Sequence, residues 1–399
     1  MSARQETKNS FSSLPGTHSN ASFASETKVF GFEVTAKDTK TEARVGVMRT
    51  AHGTFETPVF MPVGTQGTVK ALTPKDLEEA GAEIILANAY HLYIRPGIDI
   101  IRKFGGLHRF MGWSGPILTD SGGYQVFSLS RTRKISEEGV AFHSHFDGQE
   151  IFLTPEKVIE IQEAMASDIA MVFDECPPAT KDRKKIKESL ELTLRWSGRA
   201  KKHRRRESQA LFGIVQGGVF EDLRRESLER TVEMAFDGYA LGGLCVGEEK
   251  QEMLAVLDAV LPEMPEAKPR YLMGVGTPLD FLESIERGAD LFDCVNPTRY
   301  GRTGAAFTPR GLVVVKNTKY RKDESPLAED CGCYTCRNFS RGYLRHLFNA
   351  QEMLGPQLVS IHNVYFFVNF LKTIREKIRE GKFADFKRDF LNRFDFESR

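Results

Sequence analysis

No apolar run in this chain of 399 residues approaches the roughly 20 consecutive positions a membrane-spanning helix requires, which excludes a helical integral membrane protein. The first residues also lack the apolar core of a secretory signal, so a cytoplasmic protein is expected. An excess of either charge is missing as well: 55 Lys and Arg against 54 Asp and Glu leave a formal +1. Any contact with nucleic acid must therefore come from local basic patches. Cysteine is scarce, six in all, and poorly spread for a disulfide framework. Cys331, Cys333 and Cys336 cluster while Cys176, Cys245 and Cys294 lie far apart, a distribution that fits a reducing cytosol and a metal site.

What remains is an ordinary globular composition, 41% hydrophobic and 27% charged, long enough for one large domain with a smaller appendage. Residues 1–28 are rich in Ser and Thr, with little to bury, and read as a disordered tail. Val29–Thr54 alternates in the manner of one or two antiparallel hairpins capping something larger. From Pro58 onward short apolar runs recur at Val59–Val63, Glu83–Ala87, Pro116–Leu118, Ile169–Phe173, Leu211–Val215, Tyr239–Leu241, Tyr271–Gly274 and Leu291–Phe292. None alternates with period two, which suits parallel strands buried on both faces. Helical patterns lie between most of them, and three open on Thr-Pro, at Thr73-Pro74, Thr154-Pro155 and Thr277-Pro278, matching a Thr N-cap followed by Pro. Eight strands alternating with helices predict a (β/α)8 TIM barrel, with an open doubly wound sheet as the alternative. Thr119–Leu153 interrupts the rhythm with a hairpin-like insertion, and Gly311–Pro326 interrupts it again before the cysteine cluster.

The polar residues sit where the runs end. Asp120 follows Pro116–Leu118, Asp174 follows Ile169–Phe173, Gln216 follows Leu211–Val215, Gly242-Gly243 follows Tyr239–Leu241, and Asp293 follows Leu291-Phe292. In a barrel all of these gather at the C-terminal mouth. Crowded carboxylates acquire different pKa values and so can divide into nucleophile, acid/base and recognition roles. Gln216 offers one donor group and one acceptor to an amide-like ring edge, and the glycine pairs let backbone approach a flat ligand. Tyr124 and Met273 could cover the faces of such a ring, or simply pack in the core. Around Asp293, in A-D-L-F-D-C-V-N-P-T-R-Y-G-R, an Asn-Pro turn is expected to stop the strand and to place Arg299 and Arg302 in one loop. Glycosyl chemistry suits this set, because a carboxylate can trap an oxocarbenium-like carbon while an acid protonates the leaving group. A metal-dependent hydrolase would need His at the strand ends; those positions carry none, and His91, four residues past a strand, is read as structural.

Cys331, Cys333 and Cys336 offer three thiolates within six residues, and structural zinc is normally four-coordinate. His346 and His362 both qualify as the fourth ligand, and spacing alone does not choose between them. Basic residues concentrate in Lys181–Arg206, in Lys316–Lys322, and at Arg337, Arg341 and Arg345. A solvated helix face is the usual meaning of such runs. Together with Arg299 and Arg302 they also suit a phosphate-tracking rim around a pocket for a base flipped out of a single-stranded loop.

The motifs D-S-G-G-Y-Q, F-D-E-C, I-V-Q-G-G, A-L-G-G-L-C-V-G-E and F-D-C-V-N-P-T-R, followed by C-x-C-x-x-C and a distant His, resemble the tRNA-guanine transglycosylase family. The resemblance runs from about Val29 to the C-terminal helix. It implies a TIM barrel over residues 29–399, with N-terminal hairpins and an inserted zinc subdomain at about 311–365. It further implies exchange of guanine at the wobble position of tRNAs with GUN anticodons. By that resemblance Asp293 is the nucleophile at ribose C1′ and Asp120 the general acid/base. Asp174, Gln216, Gly243 and the backbone of Leu244 hold the base edge, and Tyr124 and Met273 cover its faces. Arg299 and Arg302 contact the anticodon loop, and Cys331, Cys333, Cys336 and His362 bind one structural zinc ion. Leu244-Cys245-Val246-Gly247-Glu248 resembles the bacterial branch, where Val or Cys stands at the position of Val246. That branch implies 7-aminomethyl-7-deazaguanine (preQ1) as the incoming base in queuosine biosynthesis, and a homodimer. A non-catalytic RNA-binding subunit of the same fold, and a glycosidase acting on sugars, are the competing readings.

Overall fold

The structure, a computed structural model, describes residues 29–129, 133–177, 180–244 and 247–395. The expected tail at 1–28, and Val246, lie outside the described residues. The chain opens with three antiparallel strands, β1 (Gly31–Lys37), β2 (Arg44–Thr50) and β3 (Gly53–Thr57). The next strands are β4 (Val59–Gly64), β5 (Ile85–Asn88) and β6 (Ile117–Asp120). A separate antiparallel sheet follows, β7 (Arg133–Ile135), β8 (Val140–His143) and β9 (Glu150–Leu153). Then come β10 (Ile169–Met171), β11 (Ala210–Val215), β12 (Gly238–Leu241), β13 (Arg270–Leu272) and β14 (Leu291–Cys294), and last the hairpin β15 (Ala305–Thr308) and β16 (Gly311–Val314).

Strands β4, β5, β6, β10, β11, β12, β13 and β14 close into a parallel barrel in that order. All eight coincide with the apolar runs read from the sequence. Nearly every residue in them is buried, as expected when side chains on one face fill the barrel and those on the other meet the helices. The three Thr-Pro sites behave as expected. The Thr73, Thr154 and Thr277 hydroxyls accept the N–H of the third helical residue, each with Pro in the first turn, and Asp76 and Asp280 complete capping boxes. No helix among the described residues is long and apolar enough to cross a membrane.

Residues just ahead of the barrel strands tie down the N-terminal sheet. Arg44 on β2 donates two bonds, of 2.6 and 3.0 Å, to the buried carboxylate of Asp290, which immediately precedes β14. At the β2–β3 turn, the His52 backbone N–H (3.1 Å) and Nδ1 (2.8 Å) meet Asp168 Oδ1, while His108 Nε2 lies 3.2 Å from Oδ2. The two imidazoles stack at 3.5 Å with planes 15° apart, so no single ion can lie in both ring planes; the group is a tie, not a chelate. This sheet therefore covers the N-terminal end of the barrel and leaves the C-terminal mouth open.

Between β14 and the last long helix, Leu354–Arg379, lie the helix Asn296–Thr303, the β15–β16 hairpin and the cysteine cluster. Phe367 on the long helix sits 5.2 Å from Phe60 on β4, 5.3 Å from Phe281 and 4.9 Å from Phe307 on β15, edge to face in each case. Barrel and appendage thus share one aromatic core. Asn363 accepts the Phe307 N–H at 2.8 Å and donates to the carbonyls of Pro297 and Ala305, both at 2.9 Å. Gly301 permits the close approach, since a Cβ there would lie 2.7 Å from the Cα of Ser360.

Candidate active site

The acid in Leu291–Cys294 follows from the two-residue period of β14. Phe292 points outward onto Phe281, so Asp293 points into the barrel. Its Oδ1 accepts the Tyr271 hydroxyl at 2.6 Å and the Gly274 N–H at 2.7 Å. Burial lifts its pKa above the ordinary carboxylate value, opposed by those two bonds. Tyr271, two positions before Met273, is buried; desolvation and the Asp293 charge push its phenol well above 10, so it stays a donor.

Asp120 ends β6, paired in register with Asn88 at the end of β5. Asn88 Nδ2 donates to Oδ2, as does Gln125 Nε2 at 2.9 Å, and the Ala89 N–H donates to Oδ1 at 3.1 Å. Burial raises this carboxyl to about 7; the bonds from Asn88 and Ala89 pull against that rise, and the charge of Asp293 adds to it. The two acids are therefore electrostatic neighbours, and Asp120 gains and loses its proton near neutrality.

Asp174 and Gln216 form the second feature of the mouth. Gln216, 2% exposed, donates through Nε2 to Asp174 Oδ2 at 2.7 Å, and the Ser121 hydroxyl donates to Oδ1 at 3.4 Å. Burial, and then the charge of Glu175, raise Asp174 to about 6. Glycines surround the pair for steric reasons. A Cβ on Gly123 would lie 2.4 Å from Asp174 Oδ1, and one on Gly242 would lie 2.8 Å from Gln216 Nε2. On Gly243, whose φ is +64°, a Cβ would lie 2.4 Å from Gln216 Oε1. A cavity of about 250 Å³ opens beside Gln216, Gly218 and Gly243. Leu244 is buried in the barrel core, Met273 is half-buried against it, and Tyr124 is 50% exposed on the helix Gly123–Leu129.

The expected loop carrying Arg299 and Arg302 is instead a helix, Asn296–Thr303. Pro297 occupies its first turn, where no N–H is needed, and left-handed Gly304 caps its end, so Asn-Pro starts a helix here. Three positions apart, both arginines lie exposed on one face of it. The sequence reading missed the residues that hold the two acids: Asn88, Gln125, Tyr271 and the amides of Ala89 and Gly274. Gln125 lay in plain view in D-S-G-G-Y-Q, and Asn88 was visible as a polar residue closing an apolar run.

In the appendage, Cys331, Cys333 and Cys336 place their Sγ atoms 3.6, 3.5 and 3.3 Å from His362 Nδ1. Tetrahedral zinc with ordinary Zn–S and Zn–N lengths gives an S···N edge of about 3.6 Å, so these donors fit that ion. His362 Nε2 lies 2.8 Å from the Phe307 carbonyl, the outer contact that leaves Nδ1 as the ligating nitrogen. His346 is exposed on another helix, outside the cluster.

Against known proteins, the family described as Queuine tRNA-ribosyltransferase matches residues 38–395. A Queuine tRNA-ribosyltransferase of Caldanaerobacter subterraneus subsp. tengcongensis is 57% identical over 364 residues, 91% of this chain and 97% of its own. Its counterpart in Thermoanaerobacter sp. is 56% identical over 92% of this chain and 98% of its own, and that of Geobacillus kaustophilus is 52% identical over 92% and 96%.

Proposed function

Because the chain belongs to the queuine tRNA-ribosyltransferase family, the tRNA-guanine transglycosylases, we propose that its barrel mouth exchanges guanine in tRNA through a covalent intermediate on Asp293. The observation that carries this reading is the pairing of a buried carboxylate, Asp120, with a half-buried and differently held one, Asp293. Both bonds to Asp293 fall on Oδ1, leaving Oδ2 to attack ribose C1′ as the glycosidic bond to guanine breaks. Asp120 protonates the departing base. In the return step it takes the N9 proton of the incoming base, whose N9 attacks C1′ and expels Asp293. A pKa of about 7 serves both directions.

Asp174 and Gln216, with the backbone of Gly243 and Leu244, would read the base edge, and Tyr124 and Met273 would cover its faces. Arg299 and Arg302 would meet the anticodon loop from one helix face. The resemblance to the bacterial branch, and the bacterial sources of the relatives, favour preQ1 as the incoming base, GUN anticodons as targets and a homodimer as the working form. None of the five described cysteines is in a disulfide, which supports a cytoplasmic setting. Residues 29–399 are read as one catalytic domain, with a zinc subdomain at about 311–365. The test is incubation with labelled guanine and bulk tRNA. Label should enter RNA and be chased out by unlabelled preQ1; no incorporation would defeat the proposal.

Two expected outcomes follow from the geometry. Gly243→Ala drives a methyl into Gln216 at a left-handed φ, and the bond to Asp174 keeps Gln216 from yielding. The KM for guanine should rise about tenfold or more, roughly 1.4 kcal/mol, as measured by exchange kinetics. Zinc, held by Cys331, Cys333, Cys336 and His362, would act structurally, pinning the appendage to the long helix. Cys331→Ser should lose most of its zinc by elemental analysis and on the order of 4 kcal/mol of stability by denaturant unfolding. Full zinc retention would remove Cys331 from the ligand set.

A further inference from the structure

Arg224 lies in the helix Glu221–Glu233, which follows β11, and its side chain is 0% exposed. A buried guanidinium is costly unless its donors are satisfied, and its usual partner is a carboxylate. Among the described residues, all of its hydrogen bonds go to peptide carbonyls. Nε donates to Gly218 at 2.8 Å, Nη1 to Val215 and Gly242, both at 2.8 Å, and Nη2 to Gly243 at 3.4 Å. Two of these carbonyls flank Gln216 on both sides, from Val215 at the end of β11 and Gly218 in the loop after it, and the other two belong to the glycine pair after β12. One turn further along the same helix, the Ser227 hydroxyl accepts the Gln216 N–H at 3.1 Å. A Cβ on Gly217 would lie 2.8 Å from the Arg224 backbone nitrogen, so only glycine lets this loop sit so close to the helix.

The peptide plane turns this arrangement into a statement about the pocket. In a trans peptide the C=O and N–H point in opposite directions. With the carbonyls of Gly242 and Gly243 turned onto the guanidinium, the N–H groups of Gly243 and Leu244 must face away from it. We propose that Arg224 is a positioning residue for the base pocket: its guanidinium orients the Gly242–Gly243 and Gly243–Leu244 peptides, and the Gln216 loop, toward the edge of the bound base. The proposal rests on the reading of Gln216, Gly243 and Leu244 as base contacts. The cation never touches the base; it acts through two peptides and one loop.

The experiment compares the wild type with Arg224→Met and Arg224→Lys in the full chain, measuring KM for labelled guanine, kcat, and tRNA affinity. Arg224→Met should raise the guanine KM at least about 30-fold, with kcat within about threefold and tRNA affinity within about twofold. Arg224→Lys, a point donor that cannot span both loops, should recover part of the loss. A merely structural role would lower the active fraction, and so the apparent kcat, without moving KM; that result overturns the proposal, as does an unchanged KM in a folded Arg224→Met. Should Arg224→Met fail to fold, Arg224→Lys decides by the same ratio. If neither folds, the guanidinium serves barrel assembly and the proposal falls. Absence of guanine exchange in the wild type would instead refute the base-exchange reading itself.

Discussion

Asp293→Ala is expected to lower guanine exchange by at least about 10⁴-fold while tRNA affinity stays within about twofold. The asymmetry follows from where this carboxylate sits. It lies one residue before the end of a barrel strand and takes both of its hydrogen bonds on one oxygen, which in the proposed mechanism leaves the other to attack the reacting carbon. Removing it would delete the group proposed to form the bond, whereas the contacts proposed for RNA lie on the neighbouring helix at Arg299 and Arg302. Single-turnover exchange gives the first quantity and filter binding the second. Near-normal turnover in this variant would exclude Asp293 as nucleophile, and lost tRNA binding would show that its role is structural.

Asp120→Asn is expected to cost about 10²- to 10⁴-fold, the ordinary worth of a positioned general acid/base. Its pH signature is the sharper check. In the proposed mechanism the departing base takes its proton from Asp120, and with a pKa of about 7 that proton is present below neutrality and lost above it. In the wild type, kcat/KM for tRNA should therefore fall about tenfold per pH unit above about 7, and in Asp120→Asn that limb should vanish. An unchanged alkaline limb in the variant would assign the titration to another group.

Much of this was legible in the residues because barrel strands are buried on both faces. Their short apolar runs stand out, and the polar residue ending each one is conspicuous. Asp120, Asp174, Gln216 and Asp293 stand out in that way as candidates. What escaped depends on tertiary neighbours. Asn88 and Tyr271 become acid-holding groups only through strand register, which pairs Asn88 with Asp120 and Tyr271 with Leu291. Asn-Pro suggests a turn because Pro ends structure as readily as it starts a helix; the left-handed Gly304 and the packing of Gly301 on Ser360 decide for helix. His346 and His362 sit in similar apolar helical stretches, and only the fold buries one beside three cysteines and leaves the other exposed. Nothing local in E-D-L-R-R-E-S-L distinguishes Arg224 from the charged residues beside it.

The most direct test of the account is to locate the covalent bond. The protein is incubated with a stem-loop RNA carrying the target guanine, without any incoming base, then denatured and digested, and the cross-linked peptide is read by tandem mass spectrometry. The account predicts a ribosyl-RNA ester on Asp293, within the peptide spanning Leu291–Asn296. An adduct on Asp120 or Asp174, or guanine exchange that proceeds with no adduct at all, would contradict it.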